Sequence, residues 1–405
     1  MTLDLVTIED VERARKLLAG VVRRTPLEPC RQLTAKLSGP AWLKYENVQR
    51  AGSYKVRGAY TRIARLSPGE RAAGVVAASA GNHAQGVALA AGLLGTSATV
   101  FMPVGAPLPK VSATKGYGAE VRLVGTTVDE SLLAAQEYAR AAGAVFIHPF
   151  DHPDVIAGQG TVALEILEQC PDVKTIVTGV GGGGLISGIA VAAKALRPDI
   201  RVIGVQAAGA AAYPPSLSAG HPVRLPRFAT IADGIAVGTP GELTFAHVSK
   251  LVDEIVTVSD EDISRALLML MERCKTVVEP AGGVGVAALM AGVIKVETPV
   301  VAVLSGGNMD PLLILRVLEH GLVAAGRHLR FTVRCVDRPG QLALLLGQIA
   351  EQGANVVSVE HQRRDPRLRL GEVEVDLSVE TRGSEQSDHL VNALRSAGYT
   401  VTFGG

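Results

Sequence analysis

From about residue 40 to residue 320, the chain alternates short β-branched runs with helical segments rich in Ala and Leu. The runs are Gly74–Ala78, Ser97–Met102, Glu120–Val124, Thr175–Thr178, Arg201–Gln206, Ile255–Val258 and Pro299–Leu304. Several lack the alternation of a half-exposed strand. Uninterrupted apolar strands belong to parallel sheets covered on both faces. The pattern predicts a doubly wound α/β architecture, with ligands at the C-terminal ends of the strands. Composition agrees, since 45 glycines and only 15 Phe, Trp and Tyr imply tight helix–sheet contacts and loops in unusual conformations.

The character changes near residues 321–328. Beyond that point the order is strand (Leu329–Cys335), turn (Asp337–Gly340), helix (Gln341–Gln352), strand (Ala354–Gln362), strand (Leu370–Val379), helix (Glu385–Ser396) and strand (Tyr399–Phe403). A βαββαβ unit of this size predicts a separate ferredoxin-like module. The expected division is therefore 1–322 and 327–405.

Several classes are excluded. Hydrophobic residues at 47% and charged residues at 20% are wrong for a disordered chain. Lys and Arg total 40 against 39 Asp and Glu, a net charge of +1, so no field recruits nucleic acid or an anionic membrane. Residues 84–109 carry no charge, but Gly86, Gly92, Gly95, Gly105 and three prolines break the run into a buried helix, turn and strand, which argues against a membrane span. Cys30, Cys170, Cys274 and Cys335 form no ligand cluster, and the N-terminus has no signal pattern, so a reduced cytoplasmic location is expected.

Four segments carry candidate chemistry. Strand Thr175–Thr178 runs into Gly179-Val180-Gly181-Gly182-Gly183-Gly184-Leu185 and then a helix. Such a loop lets amides converge on an anion at a helix N-terminus, although it also fits a plain tight turn. It has neither the Lys-Ser/Thr of a Walker loop nor dinucleotide spacing. Ser53-Tyr54-Lys55-Val56-Arg57-Gly58-Ala59 places a lysine in a glycine-flanked, otherwise apolar setting, where desolvation can make it a Schiff-base former, although it also fits an ordinary surface lysine, as most are. Ser79-Ala80-Gly81-Asn82-His83-Ala84-Gln85-Gly86 offers polar groups and amides for a carboxylate, or helix capping by Ser79 or Asn82. Ser305-Gly306-Gly307-Asn308 ends strand Pro299–Leu304. All four are expected to line one crevice.

Taken in order, SYKVRGA, SAGNHAQGVA, GVGGGGL and SGGN resemble the fold-type II pyridoxal-phosphate enzymes, most closely the threonine dehydratases (threonine ammonia-lyases). Leu43–Gln49, Val155–Thr161, Ala232–Val237 and Glu279-Pro280-Ala281-Gly282-Gly283 extend the resemblance over residues 20–320. It implies two doubly wound subdomains like those of the tryptophan synthase β-chain, with pyridoxal 5'-phosphate as cofactor. Lys55 would hold the cofactor as a Schiff base and abstract the substrate Cα proton. Gly181, Gly182, Gly183 and Gly184 would bind its phosphate through amides, with Leu185 behind them. Asn82 would bond the ring hydroxyl, and Ser79, Ala80, Gly81 and His83 would shape the substrate carboxylate pocket. Ser305 would meet the pyridine nitrogen, with Gly306 and Glu279 close by. A neutral serine there makes the ring a weaker electron sink than an aspartate would, favouring prompt loss of a β-hydroxyl. The implied reaction is β-elimination of L-threonine to 2-oxobutanoate and ammonia, with L-serine as secondary substrate.

Departures sharpen the expectation. Tyr54 replaces the usual Phe and adds a hydroxyl that needs a partner. Ala80 stands where serine racemases carry a second Ser, which argues against racemisation. Gln206–Ala212 has no acid where relatives hold a divalent metal, so no such metal is expected. The tail resembles an ACT domain, which implies homo-oligomerisation as dimer or tetramer and an amino-acid effector. Isoleucine is expected, with valine opposing it, and Gly340 and Asn355 are its candidate contacts. Alternatives are a serine dehydratase or racemase, or a non-catalytic amino-acid sensor on the same fold.

Overall fold

A computed structural model describes residues 4–363 and 368–403; the remaining positions of the expected 327–405 module lie outside the described residues. The chain divides into two compact units, Met1–Ile314 and Leu315–Gly405. The division falls inside helix Pro311–Ala324 rather than after it.

The first unit contains two sheets. The larger runs in the order Leu27–Pro29, Ala41–Lys44, Val300–Val303, Thr175–Gly179, Arg201–Ala207, Glu254–Val258, all parallel except the first strand. The smaller is wholly parallel, in the order Glu120–Leu123, Ala98–Met102, Val75–Ala78, Val145–Phe146. Every apolar run predicted as a strand is one, with ends shifted by a residue or so. Leu27–Pro29, Ala41–Lys44 and Val145–Phe146 are additional strands, each of four residues or fewer and too short to announce themselves. The uncharged run forms helix Asn82–Leu93 and strand Ala98–Met102. That helix is apolar on nearly all sides because it is buried, as fully embedded helices are.

Each sheet has its own core. Val11, Ile156, Ile176, Ile186, Ile189 and Val301 pack in the larger half, and Ile63, Val75, Val87, Val100, Met102 and Ile147 in the smaller. Glycines set how closely the helices approach. A Cβ on Gly158, in helix Pro153–Gln169, would sit 2.6 Å from the Arg57 carbonyl of helix Lys55–Ala64. One on Gly160 would sit 2.8 Å from the Gly188 carbonyl of helix Gly184–Leu196. Both are nearer than any real Cβ comes to another heavy atom.

A buried charge network joins these elements. Arg57 is fully buried, and its Nε and Nη2 donate to the two oxygens of Glu46 at 2.8 Å each, while Nη1 meets Glu165 Oε1 at 2.8 Å. Lys44 Nζ donates to Glu165 Oε2 at 2.6 Å, to the Thr25 carbonyl at 2.8 Å and to Gln169 Oε1 at 2.8 Å. Two cations thus face two carboxylates. The network ties strand Ala41–Lys44, the turn Glu46–Val48 and helix Pro153–Gln169 to Arg57, the second residue after Lys55 in helix Lys55–Ala64.

The second unit begins within helix Pro311–Ala324 and continues in the expected βαββαβ order. Its antiparallel sheet runs Asn355–Gln362, Glu372–Glu380, His328–Val336, Thr400–Thr402, with a bulge between Val356 and Ser358. Phe331, Val333, Leu345, Leu377 and Leu390 pack between this sheet and helices Gln341–Glu351 and Ser384–Ser396. No helix among the described residues is long and apolar enough to cross a membrane.

Removing one partner from a buried ion pair strands the other charge and costs about 3–5 kcal/mol. Arg57→Ala is therefore expected to lower unfolding stability by that amount in chemical denaturation. A loss under about 1 kcal/mol would mean that the network is relaxed by solvent.

Candidate active site

Strand order decides which loops meet. Ala41–Lys44, Val300–Val303 and Thr175–Gly179 are parallel neighbours, so the segments leaving their C-terminal ends lie side by side. These segments lead to Lys55, to Ser305–Asn308 and to the glycine loop. In the smaller sheet, Val75–Ala78 and Val145–Phe146 are likewise parallel neighbours, bringing Ser79–Asn82 beside His148–Phe150.

Lys55 is the first residue of helix Lys55–Ala64, and it follows two short 3-10 turns rather than a strand end, contrary to the expected pattern. Ten residues are needed to carry the chain from Lys44 to this helix start. The backbone locks onto the loop after Val300–Val303: Ser53 pairs with Gly306, Tyr54 N donates to the Ser305 carbonyl at 3.2 Å, and Gly307 N to the Gly52 carbonyl at 2.9 Å. Lys55 and Ser305 are thereby held together by main chain. Lys55 Nζ donates to the Pro149 carbonyl at 2.9 Å and lies 5.3 Å from the Tyr54 ring centroid. Burial brings its pKa down to about 8, with Glu279 pulling weakly the other way. Tyr54 itself is pushed up by burial and by Glu279.

Asn82 opens helix Asn82–Leu93, where first-turn amides have no intrahelical acceptors. Its Nδ2 donates to Glu279 Oε1 at 2.5 Å, and its Oδ1 accepts from Asn308 Nδ2 at 2.8 Å. Glu279 N donates to the Gly306 carbonyl at 3.0 Å. Burial, then the nearby Asp233, push Glu279 up to about 7 against the bond from Asn82. A side chain on Gly306 would collide with Glu279 and Asn82, so the fit permits only glycine. Ser305 is buried. Ser79, Ala80 and Gly81 are partly accessible, with the Ser79 hydroxyl accepting from Gly81 N at 3.1 Å. The His83 ring is committed to backbone. It is buried with Nε2 on the Ile147 carbonyl at 2.8 Å, and burial, followed by Lys55, lowers it to about 3. It is a neutral donor fixed by backbone.

The glycine loop is built to turn amides outward. Gly183 has φ +99°, and a Cβ there would strike the Tyr213 hydroxyl. The Gly182 carbonyl accepts from Thr244 Oγ1 at 2.6 Å and Tyr213 OH at 3.2 Å, which pins it from behind. Phe150 occupies the place a side chain on Gly182 or Gly184 would need. The amides at the start of helix Gly184–Leu196, with Leu185 buried, lie at the positive end of a helix dipole, where an anion could be held.

Sequence reasoning did not single out His148, Phe150, Tyr213 or Thr244. His148 Nδ1 accepts from Asp151 N at 2.7 Å, its ring stacks edge-on against Phe150 at 4.7 Å, and burial lowers it to about 4. The only advance signal was a polar cluster, His148–His152, after a very short apolar run. Tyr213 and Thr244 act through backbone and give no motif. In the second unit, Gly340 is exposed at φ +86° before helix Gln341–Glu351, and Asn355 Nδ2 bonds Glu380 at 3.1 Å.

A buried lysine of lowered pKa, a glycine-rich loop at a helix start and a buried serine after a parallel strand are the parts that a fold-type II pyridoxal-phosphate site needs. Comparison with known proteins agrees. Residues 18–306 match the model of the pyridoxal-phosphate-dependent enzyme family. The L-threonine ammonia-lyase of Thermotoga maritima is 47% identical over 99% of this chain and 100% of its own length. Threonine deaminase isoform 2 from Solanum lycopersicum is 39% identical, with TM-score 0.74, over 78% of this chain and 87% of that one. Maize serine racemase is 36% identical, with TM-score 0.74, over 79% of this chain and 99% of its own. The chain belongs to the pyridoxal-phosphate-dependent enzymes, among the threonine ammonia-lyases, and it is a lyase that uses pyridoxal phosphate.

Two outcomes follow for the cofactor site. Only the neutral amine is nucleophilic, so uptake of pyridoxal phosphate by the cofactor-free chain should accelerate as pH rises through about 8, well below the 10.5 of an ordinary lysine. Stopped-flow absorbance against pH measures this. Gly183→Ala should leave the fold intact yet weaken cofactor binding at least tenfold in a fluorescence titration, by forcing the positive φ and crowding Tyr213.

Proposed function

We propose that the chain deaminates L-threonine to 2-oxobutanoate and ammonia, accepts L-serine as secondary substrate, and answers to an amino-acid effector at its second unit. The observation that supports the first part is the main-chain lock of Tyr54 onto Ser305, which holds the Lys55 segment against the Ser305 segment. The full-length likeness to a named L-threonine ammonia-lyase supports the choice of substrate.

The residues fit the cofactor. Gly181–Gly184 pack so closely against Ile235, Phe150 and Tyr213 that no Cβ fits, and their amides suit a phosphate. Lys55 would hold the aldehyde carbon, Asn82 the ring hydroxyl and Ser305 the ring nitrogen, with Tyr54, Leu185, Gly306 and Glu279 around them. Bound there, pyridoxal phosphate supplies an electron sink for the pair released at the substrate Cα.

The chain does the rest. Lys55 Nζ, neutral above about pH 8, accepts the Cα proton, and its apolar surroundings keep that amine from being protonated by solvent. The amides of the first turn of helix Asn82–Leu93 orient the substrate carboxylate, while Ser79, holding the Gly81 amide, shapes the pocket with it and His83 stays fixed on Ile147. Ser305 offers a neutral hydroxyl, which holds its partner nitrogen without the charge an aspartate would impose. Ala80 supplies no proton on the opposite face, which favours elimination over racemisation.

The βαββαβ unit supports an effector site and homo-oligomer assembly, with Gly340 and Asn355 as contacts and isoleucine as effector. The likeness to maize serine racemase covers 99% of that shorter chain, which supports a catalytic unit that stands without the tail.

Steady-state production of 2-oxobutanoate from L-threonine and pyruvate from L-serine tests the reaction. Lys55→Ala should abolish the visible absorption of the bound cofactor and cut turnover by at least about 10³-fold. Formation of D-serine would overturn the role given to Ala80, and cofactor-loaded protein without turnover would leave the sensor reading standing. Deleting residues 327–405 should preserve the catalytic unit and remove the isoleucine response, read by calorimetry and by inhibition; isoleucine inhibition of the shortened chain would refute the effector assignment.

A further inference from the structure

Cys30 and Cys274, 244 residues apart, place their Sγ atoms 3.9 Å from each other in the first unit. Cys30 is buried just before helix Arg31–Leu37, and Cys274 is a half-buried free thiol at the last position of helix Asp260–Cys274. No step of the proposed reaction uses either. We propose that Cys30 and Cys274 are a modification site, a dithiol that peroxides close to a disulfide, and that the disulfide acts on the active site through residues 274–279.

The contact itself favours reactivity. With Cys274 as the donor, the contact draws the Cys30 thiol below the usual thiol range against the effect of burial and raises Cys274 in turn, so Cys30 is the member of the pair that ionises more readily. Cys170 contrasts with this, since burial pushes its thiol up to about 12. Oxidation balances with one peroxide. A thiolate sulfur of the pair attacks one peroxide oxygen, the O–O bond breaks, and hydroxide leaves, giving a sulfenic acid. The second sulfur, losing its proton, attacks the sulfenic sulfur, the S–O bond breaks, and a second hydroxide leaves. Two thiols lose two electrons, and the peroxide with two thiol protons ends as two waters.

A disulfide holds its sulfurs about 2.05 Å apart, so closing this pair requires an approach of roughly 1.9 Å. The strain falls on a short run already fixed at its far end. Lys275 is left-handed at φ +56°, and Thr276 Oγ1 and the Val277 carbonyl accept from Asn47 Nδ2 at 2.8 and 3.0 Å. Gly307 fits against the Asn47 and Val277 carbonyls, and Glu279 N holds the Gly306 carbonyl. Moving Cys274 therefore pulls on the loop carrying Ser305 and on the Glu279–Asn82 bond.

The test is peroxide titration of the full-length holoenzyme followed by peptide mapping in a mass spectrometer, with turnover measured alongside. The expected result is a Cys30–Cys274 cross-link while Cys170 and Cys335 stay reduced. Turnover should fall several-fold, with both effects reversed by dithiothreitol and absent from Cys274→Ser and from Cys30→Ala. Sulfinic acid on either cysteine without a cross-link would overturn the pair. An equal loss of turnover in both variants, or a cross-link that leaves turnover unchanged, would overturn the coupling to the site. The map does not depend on the substrate assigned above, so failure of that reading and failure of this one are distinguishable.

Discussion

The neutral cluster of Arg57, Glu46, Glu165 and Lys44 underlies the first unit. Four ionised groups removed from water are tolerated only when each is paired and hydrogen-bonded, and here each is. In this seating of helix Lys55–Ala64, Arg57 meets both carboxylates. Because Arg57 lies half a turn beyond Lys55, the cluster fixes the azimuth of the helix and hence the direction in which the reactive amine points.

Around that anchor, the crevice is assembled from backbone more than from side chains. Main-chain bonds join the Tyr54 and Ser305 segments, a carbonyl of Pro149 receives the lysine, and the cradle is a set of amides. Side chains serve mostly as supports, with Thr244 and Tyr213 behind the loop, Phe150 filling the space that glycine leaves, and Asn82, Glu279 and Asn308 bonded in a row. Such a site needs glycine wherever two backbones or a backbone and a ring must touch, which explains the glycine-rich, aromatic-poor composition in steric terms.

The architecture was legible because burial on both faces writes itself as continuous apolar runs, as in Val75–Ala78 and Val300–Val303. The βαββαβ order of the tail was legible too, since half-exposed strands and amphipathic helices carry their own periods. Ordered motifs at strand and helix ends are what single out Lys55, Asn82, Ser305 and the glycine loop as candidates. Strands of two to four residues at Leu27, Ala41 and Val145 were not legible, being shorter than any period can mark. The charge network was hidden for another reason: Lys44, Glu46 and Arg57 read as ordinary surface residues until the fold brings Glu165 to them. His83 shows a similar limit, since the motif places it at the pocket while its ring is committed to the Ile147 carbonyl.

The double bonding of the Gly182 carbonyl has a consequence for affinity. A loop with four glycines in a row would otherwise sample many conformations, and a ligand that ordered it would lose binding energy to that restriction. Here Thr244 and Tyr213 impose the restriction during folding, so the anion meets a loop whose conformational entropy is already spent. Tyr213 and Thr244 therefore influence how tightly the cradle holds its ligand by narrowing the ensemble that the ligand encounters.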